Sequence, residues 1–378
     1  MKKLGNWAAA LIYVLIGAAA GIVMVRGMRA VLPEDASLAR ELATLALMLV
    51  SFYAAMAVQI AVHEAGHWFF GRLTGYRLVS YRIFSLMWLE DASGLRFCRF
   101  SLAGTGGQCL MEPPGEPDSD FPVTLYNLGG SLMNLACAAV CFALYLALPG
   151  HALARTLLSV LGIIGVGFAV ANGIPLKLKL VNNDGRNAID LRRDPAARRA
   201  FWIQMKMSAL TSRGTRLKDM PAEWFAVPDR AGMDNGMIAS LAVFASSRLM
   251  DERRFAEADA LMSDILADPG ATPGVYMALL KSERLYCELV GPNRPEAVDA
   301  LLDKAQRKAM KALKGQPSVL RTEYALALLR EGDAGKAEAV AKRFDALARQ
   351  YPYPVEIEAE RELMRLADAA KANKRHRR

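Results

Sequence analysis

The chain has 378 residues, a net charge of +9, 53% apolar residues and only 22% charged ones, more than one compact domain needs. A basic balance of this kind fits an anionic membrane surface or the cytoplasmic loops of a membrane protein; no aromatic-plus-basic array marks a nucleic-acid site, so nucleic acid is not an expected partner. The cysteines, Cys98, Cys109, Cys137, Cys141 and Cys287, are odd in number and lack metal-site spacing, which argues against a disulfide framework.

The long apolar runs fall almost entirely in the first 175 or so residues. Four of them can span a bilayer, which takes about 20 apolar residues, and helices are expected near 7–28, 42–70, 121–148 and 153–175. The first opens at Trp7 after Lys2 and Lys3, which admits a signal-peptide reading; the run is long for one and no small-residue cleavage site precedes Arg26, so a retained helix is preferred.

The second run ends in His63-Glu64-Ala65-Gly66-His67. In a helix the two histidines are one turn apart on one face. Two imidazoles at that spacing can hold a zinc ion, and Glu64 is placed to take a proton from a zinc-bound water. The chain has only four histidines and two of them are here. Ionisable residues at membrane depth are costly and mark function by default.

Beyond it, Leu78-Val79-Ser80-Tyr81-Arg82-Ile83-Phe84 and Leu95-Arg96-Phe97-Cys98-Arg99-Phe100 have strand character. Gly104, Gly106 and Gly107 are expected to turn the chain, giving a small antiparallel sheet over 78–112 at the membrane surface. The third and fourth runs follow. After the fourth come Asn172-Gly173-Ile174-Pro175 and then Asn182-Asn183-Asp184-Gly185. A catalytic zinc needs a third protein ligand and an open position. His151 falls in the opposite turn and His376 in the basic tail, so a carboxylate is expected, with Asp184 the choice and Asp190, Glu90 and Glu112 the alternatives. A plain turn at a helix boundary explains the same residues around Asp184.

Residues 200–378 alternate helical patterns without long apolar runs. Arg254-Phe255-Ala256-Glu257-Ala258, Arg294-Pro295-Glu296-Ala297-Val298 and Ala334-Gly335-Lys336-Ala337-Glu338-Ala339 recur at a spacing near 40 residues, each after another amphipathic stretch such as Ile238–Leu249 or Ser318–Leu329. The pattern resembles a degenerate tetratricopeptide-like array, whose concave face takes a protein partner; an irregular helical bundle is the plainer alternative. The tail Lys371–Arg378 carries five Lys/Arg, read as a solvated end or as a contact with anionic lipid.

The expected fold is therefore mostly α: a polytopic membrane domain over 1–199 with about four transmembrane helices and a small surface sheet, then a soluble helical-repeat domain over 200–378. Loop charges orient it. With the N-terminus cytoplasmic, the inside segments 1–6, 71–120 and 176–199 hold two, five and seven Lys/Arg, against three in the outside segment 26–41. Both termini are expected in the cytoplasm, and the setting in a bacterial cell membrane with the lipid bilayer as partner.

Together these residues resemble the site-2 protease family of intramembrane zinc metalloproteases. That family pairs His-Glu-x-x-His on one membrane helix with an Asp-Gly element after an Asn-x-x-Pro element, matched here by His63, Glu64, His67, Asn172, Pro175, Asp184 and Gly185. Gly106-Gly107 with Met111 resembles the family's Gly-Gly loop, and Gly130-Ser131-Leu132-Met133-Asn134 its Gly-x-x-x-Asn element; the resemblance covers 42–190. Eight residues separate Pro175 from Asp184, a longer spacing than in familiar members, and no PDZ domain or CBS pair is recognisable. The resemblance implies cleavage of a membrane protein or membrane-anchored peptide substrate within or near its membrane helix. Such a substrate must unwind locally, and an edge of the 78–112 sheet could hold it by strand addition, with Gly106 and Gly107 beside it. Asn134 either places the scissile carbonyl or bonds between helices. An inactive protease-like scaffold that recruits partners is the competing reading, and a membrane zinc carrier a third. The retained Glu64 favours the enzyme, and scarce His and Cys disfavour the carrier.

Overall fold

The computed structural model describes residues 2–101, 105–176 and 182–376. Gly104 and the last two residues of the basic tail lie outside them. Two compact units emerge: Met1–Met87 with Leu102–Arg198, and Trp88–Ser101 with Arg199–Arg378.

The first unit is built on α1 (Lys2–Val31), α2 (Leu38–Leu73), α3 (Thr124–Ala147) and α4 (Ala152–Gly173), followed by the short α5 (Asp184–Arg193). The first four are long and apolar enough to cross a membrane. α1 and α2 run past the apolar stretches because Arg26, Arg29, Arg40 and Arg72 are good helix formers and continue the turns. Side-chain placement is inverted relative to a soluble protein. On α2, Leu42, Leu45, Leu49, Val50 and Tyr53 are exposed, whereas Gln59, His63, Glu64, Gly66 and His67 are buried. In a bilayer, helices gain little by hiding leucine from lipid, and association depends on close packing and internal polar bonds. Gly66 of α2 and Gly129 of α3 supply the close packing: a side chain on either would collide with the other's backbone carbonyl.

A four-stranded sheet follows α2, made of β1 (Arg77–Ile83), β2 (Leu86–Asp91), β3 (Gly94–Arg99) and β4 (Gly107–Glu112), in the order β3-β2-β1-β4. β1 pairs antiparallel with β4, with a register shift between Leu78 and Ser80. Two differences from the sequence reading have physical causes. Leu86-Met87-Trp88-Leu89 is a strand whose continuous apolar run hides the period of two. Gly107 opens β4 rather than closing a turn, because its backbone joins the β1 ladder opposite Ile83.

The second unit is helical, from the body of α6 (Pro195–Ser212) through α7 (Gly236–Asp251), α8 (Phe255–Ala267), α9 (Gly274–Val290), α10 (Pro295–Leu301), α11 (Lys304–Ala312), α12 (Pro317–Leu326), α13 (Ala334–Ala348) and α14 (Pro354–His376). The three recurring segments open α8, α10 and α13. Met262, Leu285, Tyr286, Leu289, Val298 and Val319 lie in one core. The hairpin of 88–101 belongs to this unit through Phe100, whose ring meets those of Tyr351 and Tyr353 edge-on at 5.8 and 6.5 Å.

Gly129→Leu is expected to force α2 and α3 apart, at about 1–3 kcal/mol for an overpacked contact. Thermal unfolding of the detergent-solubilised protein should show a clearly lower midpoint than the wild type; an unchanged midpoint would mean that the two helices do not depend on the contact.

Candidate metal centre

His63 and His67 project from one face of α2, and their Nε2 atoms lie 3.2 Å apart. Asp184, the first residue of α5, brings Oδ2 to 3.1 Å from His63 Nε2 and 3.5 Å from His67 Nε2. What holds Asp184 there is the residue before it. Asn183 caps α5, its Oδ1 accepting from the backbone N–H groups of Arg186 at 3.1 Å and Leu176 at 2.9 Å. Its Nδ2 donates to the carbonyls of Ala171 and Ile174 at 2.9 and 2.6 Å. One side chain thus ties the start of α5 to the end of α4. The helix N-terminus also favours the Asp184 carboxylate.

The other ring nitrogens fix the tautomers. His67 Nδ1 lies 2.7 Å from the carbonyl oxygen of Tyr126, which can only accept, so this nitrogen carries the proton. His63 Nδ1 lies 2.7 Å from Asn134 Oδ1. Asn134 Nδ2 is committed as donor to the backbone oxygen and Oε1 of Gln59 at 2.9 and 2.7 Å, so Oδ1 is the acceptor and His63 Nδ1 the donor. In the neutral state both rings therefore turn an Nε2 lone pair towards a carboxylate oxygen. Three acceptors converge with no hydrogen of their own to share, and that arrangement suits a cation. The spacing fits as well: zinc bonds of about 2.0–2.1 Å at tetrahedral angles separate ligand atoms by about 3.3 Å. Ring N–H groups held by a carbonyl or amide are the usual outer support of metal-bound histidine.

Helix contacts make room for this geometry. A side chain at Gly130 would run into the His63 ring. Gly130 and Asn134, the ends of the Gly-x-x-x-Asn element, thus both serve His63. Asn134 is fully buried and makes helix–helix bonds to His63 and Gln59. Gln59 extends the chain to α4, with Nε2 donating to the Leu161 carbonyl at 3.0 Å.

Glu64 is buried on the same helix, facing the start of β4, where a side chain at Gly107 would collide with its carboxylate. The strand is fixed around it. Tyr81 of β1 donates to the Ala61 carbonyl at 2.7 Å, and Tyr126 of α3 donates to the Cys109 carbonyl at 2.8 Å. Arg82, fully buried, donates to the Phe84 and Gly107 carbonyls and to Thr105. Gly106 packs towards Ile60, and its carbonyl accepts from Phe84 N–H at 2.7 Å.

The alternative carboxylates are occupied elsewhere or lie outside the cluster. Asp190 pairs with Arg186 at 2.8 Å, Glu112 ends β4 opposite Arg77, and Glu90 is exposed on β2. Asn172 bonds back to the Phe168 carbonyl at 3.0 Å; the residue that clamps this corner is Asn183. Sequence reasoning passed over Asn183, Gln59, Arg82 and the Tyr126 carbonyl. Gln59 alone had a legible signal, as an isolated amide inside an apolar run.

Asp184→Ala is expected to lower the zinc content of the purified protein, measured by elemental analysis, and Asn134→Leu to weaken retention against a chelator by about 10–100-fold, the usual effect of losing an outer-shell partner. Unchanged stoichiometry in Asp184→Ala would move the third ligand to another carboxylate.

The sequence profile of Peptidase family M50 matches residues 51–349. The match takes in the His63–His67 motif, the sheet, α3, α4 and Asp184, and continues through much of the second unit. No curated protein and no solved structure matches the chain. With the profile covering well over half of its length, the chain belongs to peptidase family M50, the site-2 protease family that its motifs resemble.

Proposed function

We propose that the chain is an intramembrane zinc metalloprotease that hydrolyses peptide bonds of membrane-embedded or membrane-anchored polypeptides. The observation that carries this reading is the convergence of the His63 and His67 Nε2 atoms on the Asp184 carboxylate within one helical turn of Glu64. Three protein ligands leave the open position of a catalytic site. Zinc bound there supplies Lewis acidity and acidifies water. The remaining chemistry belongs to the chain. Glu64 takes the proton of the attacking water and returns it to the leaving nitrogen, the role of a general base turned general acid. Its buried setting keeps bulk water from competing for that proton.

β4 is an outer strand of the sheet, and its first residue faces Glu64. A substrate segment must leave its helix before it can be cut. Laid along β4, it would be held by backbone hydrogen bonds, and Gly106 and Gly107 leave room for its main chain to approach the carboxylate. Loop charges support an orientation with both termini in the cytoplasm, and the helices after 199 support recruitment of a protein partner by a tetratricopeptide-like array. Retention of Glu64 beside both histidines disfavours the inactive-scaffold reading.

Glu64→Gln should leave zinc bound and reduce cleavage by at least about a hundredfold, the lower end of what a general base contributes. Comparing membrane-derived peptides from cells carrying wild-type or Glu64→Gln protein would identify the substrate; cleavage that persists in the variant would sink the mechanism.

A further inference from the structure

The second unit contains a groove of about 380 Å³, lined by residues of α6, α7, α9, α12 and α14. The volume is at the small end for ligand pockets, enough for a few side chains rather than a folded domain. Phe244, Tyr276, Tyr351 and Tyr353 contribute aromatic surface to it, and Phe100 braces the last two.

Its charges are unbalanced. The carboxylates of Asp251, Glu283, Glu356, Glu360 and Glu362 line it with the guanidinium groups of Arg216, Arg253 and Arg321. Arg216 is shared by Asp251 and Glu362, and Arg253 also pairs with Glu362. Arg321 is fully buried between Glu283 at 2.5 Å and Glu360 at 2.8 Å, and its guanidinium lies 4.0 Å from the Tyr286 ring centre. Glu356 is left with the Tyr351 hydroxyl, 2.8 Å away, and among the described residues no cation pairs with it. Burial pushes its carboxyl up to about 7; the Tyr351 hydroxyl opposes the rise and neighbouring Glu360 adds to it. A buried carboxylate without a counter-ion is costly, and a cation delivered from outside would offset it.

We propose that this groove docks a segment of a partner polypeptide that presents an Arg or Lys side chain to Glu356, with the flanking residues against the aromatic wall. Excess carboxylate excludes acidic and phosphorylated segments. The aromatic wall suits the long apolar stem and charged head of a basic side chain. The proposal rests on the partner-recruiting reading of the helical unit and is independent of the peptidase reading.

The test uses the full-length Glu64→Gln protein in a neutral maltoside detergent at pH 8. Two capped pentapeptides are titrated calorimetrically: Gly-Leu-Arg-Leu-Gly and the same peptide with neutral citrulline in place of arginine. The arginine peptide is expected to bind at least about tenfold tighter, as for a desolvated charge pair. Adding Glu356→Gln, which is nearly isosteric, should abolish that preference without lowering the melting temperature. Ser247→Trp, which fills the groove from α7, should abolish binding of both peptides and serves if Glu356→Gln does not fold. Equal affinity for the two peptides overturns the assignment of a cation. A preference that survives Glu356→Gln, or no saturable binding of the arginine peptide up to about 1 mM, overturns the site. Competition by choline as effective as that by the peptide would reassign the groove to lipid headgroups and equally overturn it. None of these outcomes bears on cleavage, because the base is already replaced.

Discussion

Acceptor atoms that face one another inside a helix bundle repel, and the repulsion is strong where water is scarce. His63 Nε2, His67 Nε2 and Asp184 Oδ2 are such a set, held within 3.1–3.5 Å of one another. A cation bound between them would compensate that repulsion. The surrounding structure makes sense as the means of maintaining the set. The Tyr126 carbonyl and Asn134 prevent either ring from flipping its lone pair away. Asn183 prevents α5 from swinging the carboxylate out. Gly130 lets α3 come close enough for Asn134 to reach.

The same set explains the composition of the bundle interior. Leucines face outwards and the buried stripe of α2 is small or polar, because lipid offers apolar contacts as readily as protein does and only packing and polar bonds distinguish the two. The chain from the Leu161 carbonyl through Gln59 and Asn134 to His63 joins three helices. It therefore positions a ligand and joins the bundle at once, and a loss at Gln59 would be felt at the site without any change in the ligand atoms themselves. The sheet adds a second layer of control. Tyr81 and Tyr126 bind its strands to the helices and Arg82 ties the end of β1 to the start of β4, so the distance between Glu64 and β4 is set by several bonds rather than by loop stiffness.

The legible parts of this protein are those with a local period. The four apolar helices, the His63–His67 spacing with Glu64, and the starts of α8, α10 and α13 are all written at intervals that a helix repeats. The placement of Asp184 beside the histidines needed chemistry as well as pattern: too few histidines remained, and a carboxylate after the fourth span was the economical choice. What stayed hidden has no side-chain signature or has an ambiguous one. The acceptor for His67 is a backbone oxygen. Asn183 looked like ordinary turn chemistry, and its four bonds exist only once α4 and α5 meet. Gly107 reads as a turn residue because glycine is the strongest turn signal, yet it is a strand residue kept small by Glu64. Arg82 sits in an alternating strand where a charge is normally solvated, and its burial is a tertiary fact.

The length of α2 has a consequence for where bonds can be cut. The helix has 36 residues, more than a bilayer core requires. Counted from Leu42, where the charges of Arg40 and Glu41 end, His63 lies about 32 Å along the axis at 1.5 Å per residue, against a hydrocarbon thickness of about 30 Å. An upright α2 with Leu42 at one hydrocarbon boundary would place the histidines at the opposite headgroup boundary and not at the bilayer midplane. Bulk water would lie close outside the buried site at that depth, and a substrate's scissile bond would have to rise to meet it. Helices whose apolar span is poorly matched to the bilayer, or whose last turns are already loosened at the interface, would arrive there most easily. Hydrophobic mismatch would then act as a selection filter, sorting substrates by how their spans sit in lipid before any side chain is read.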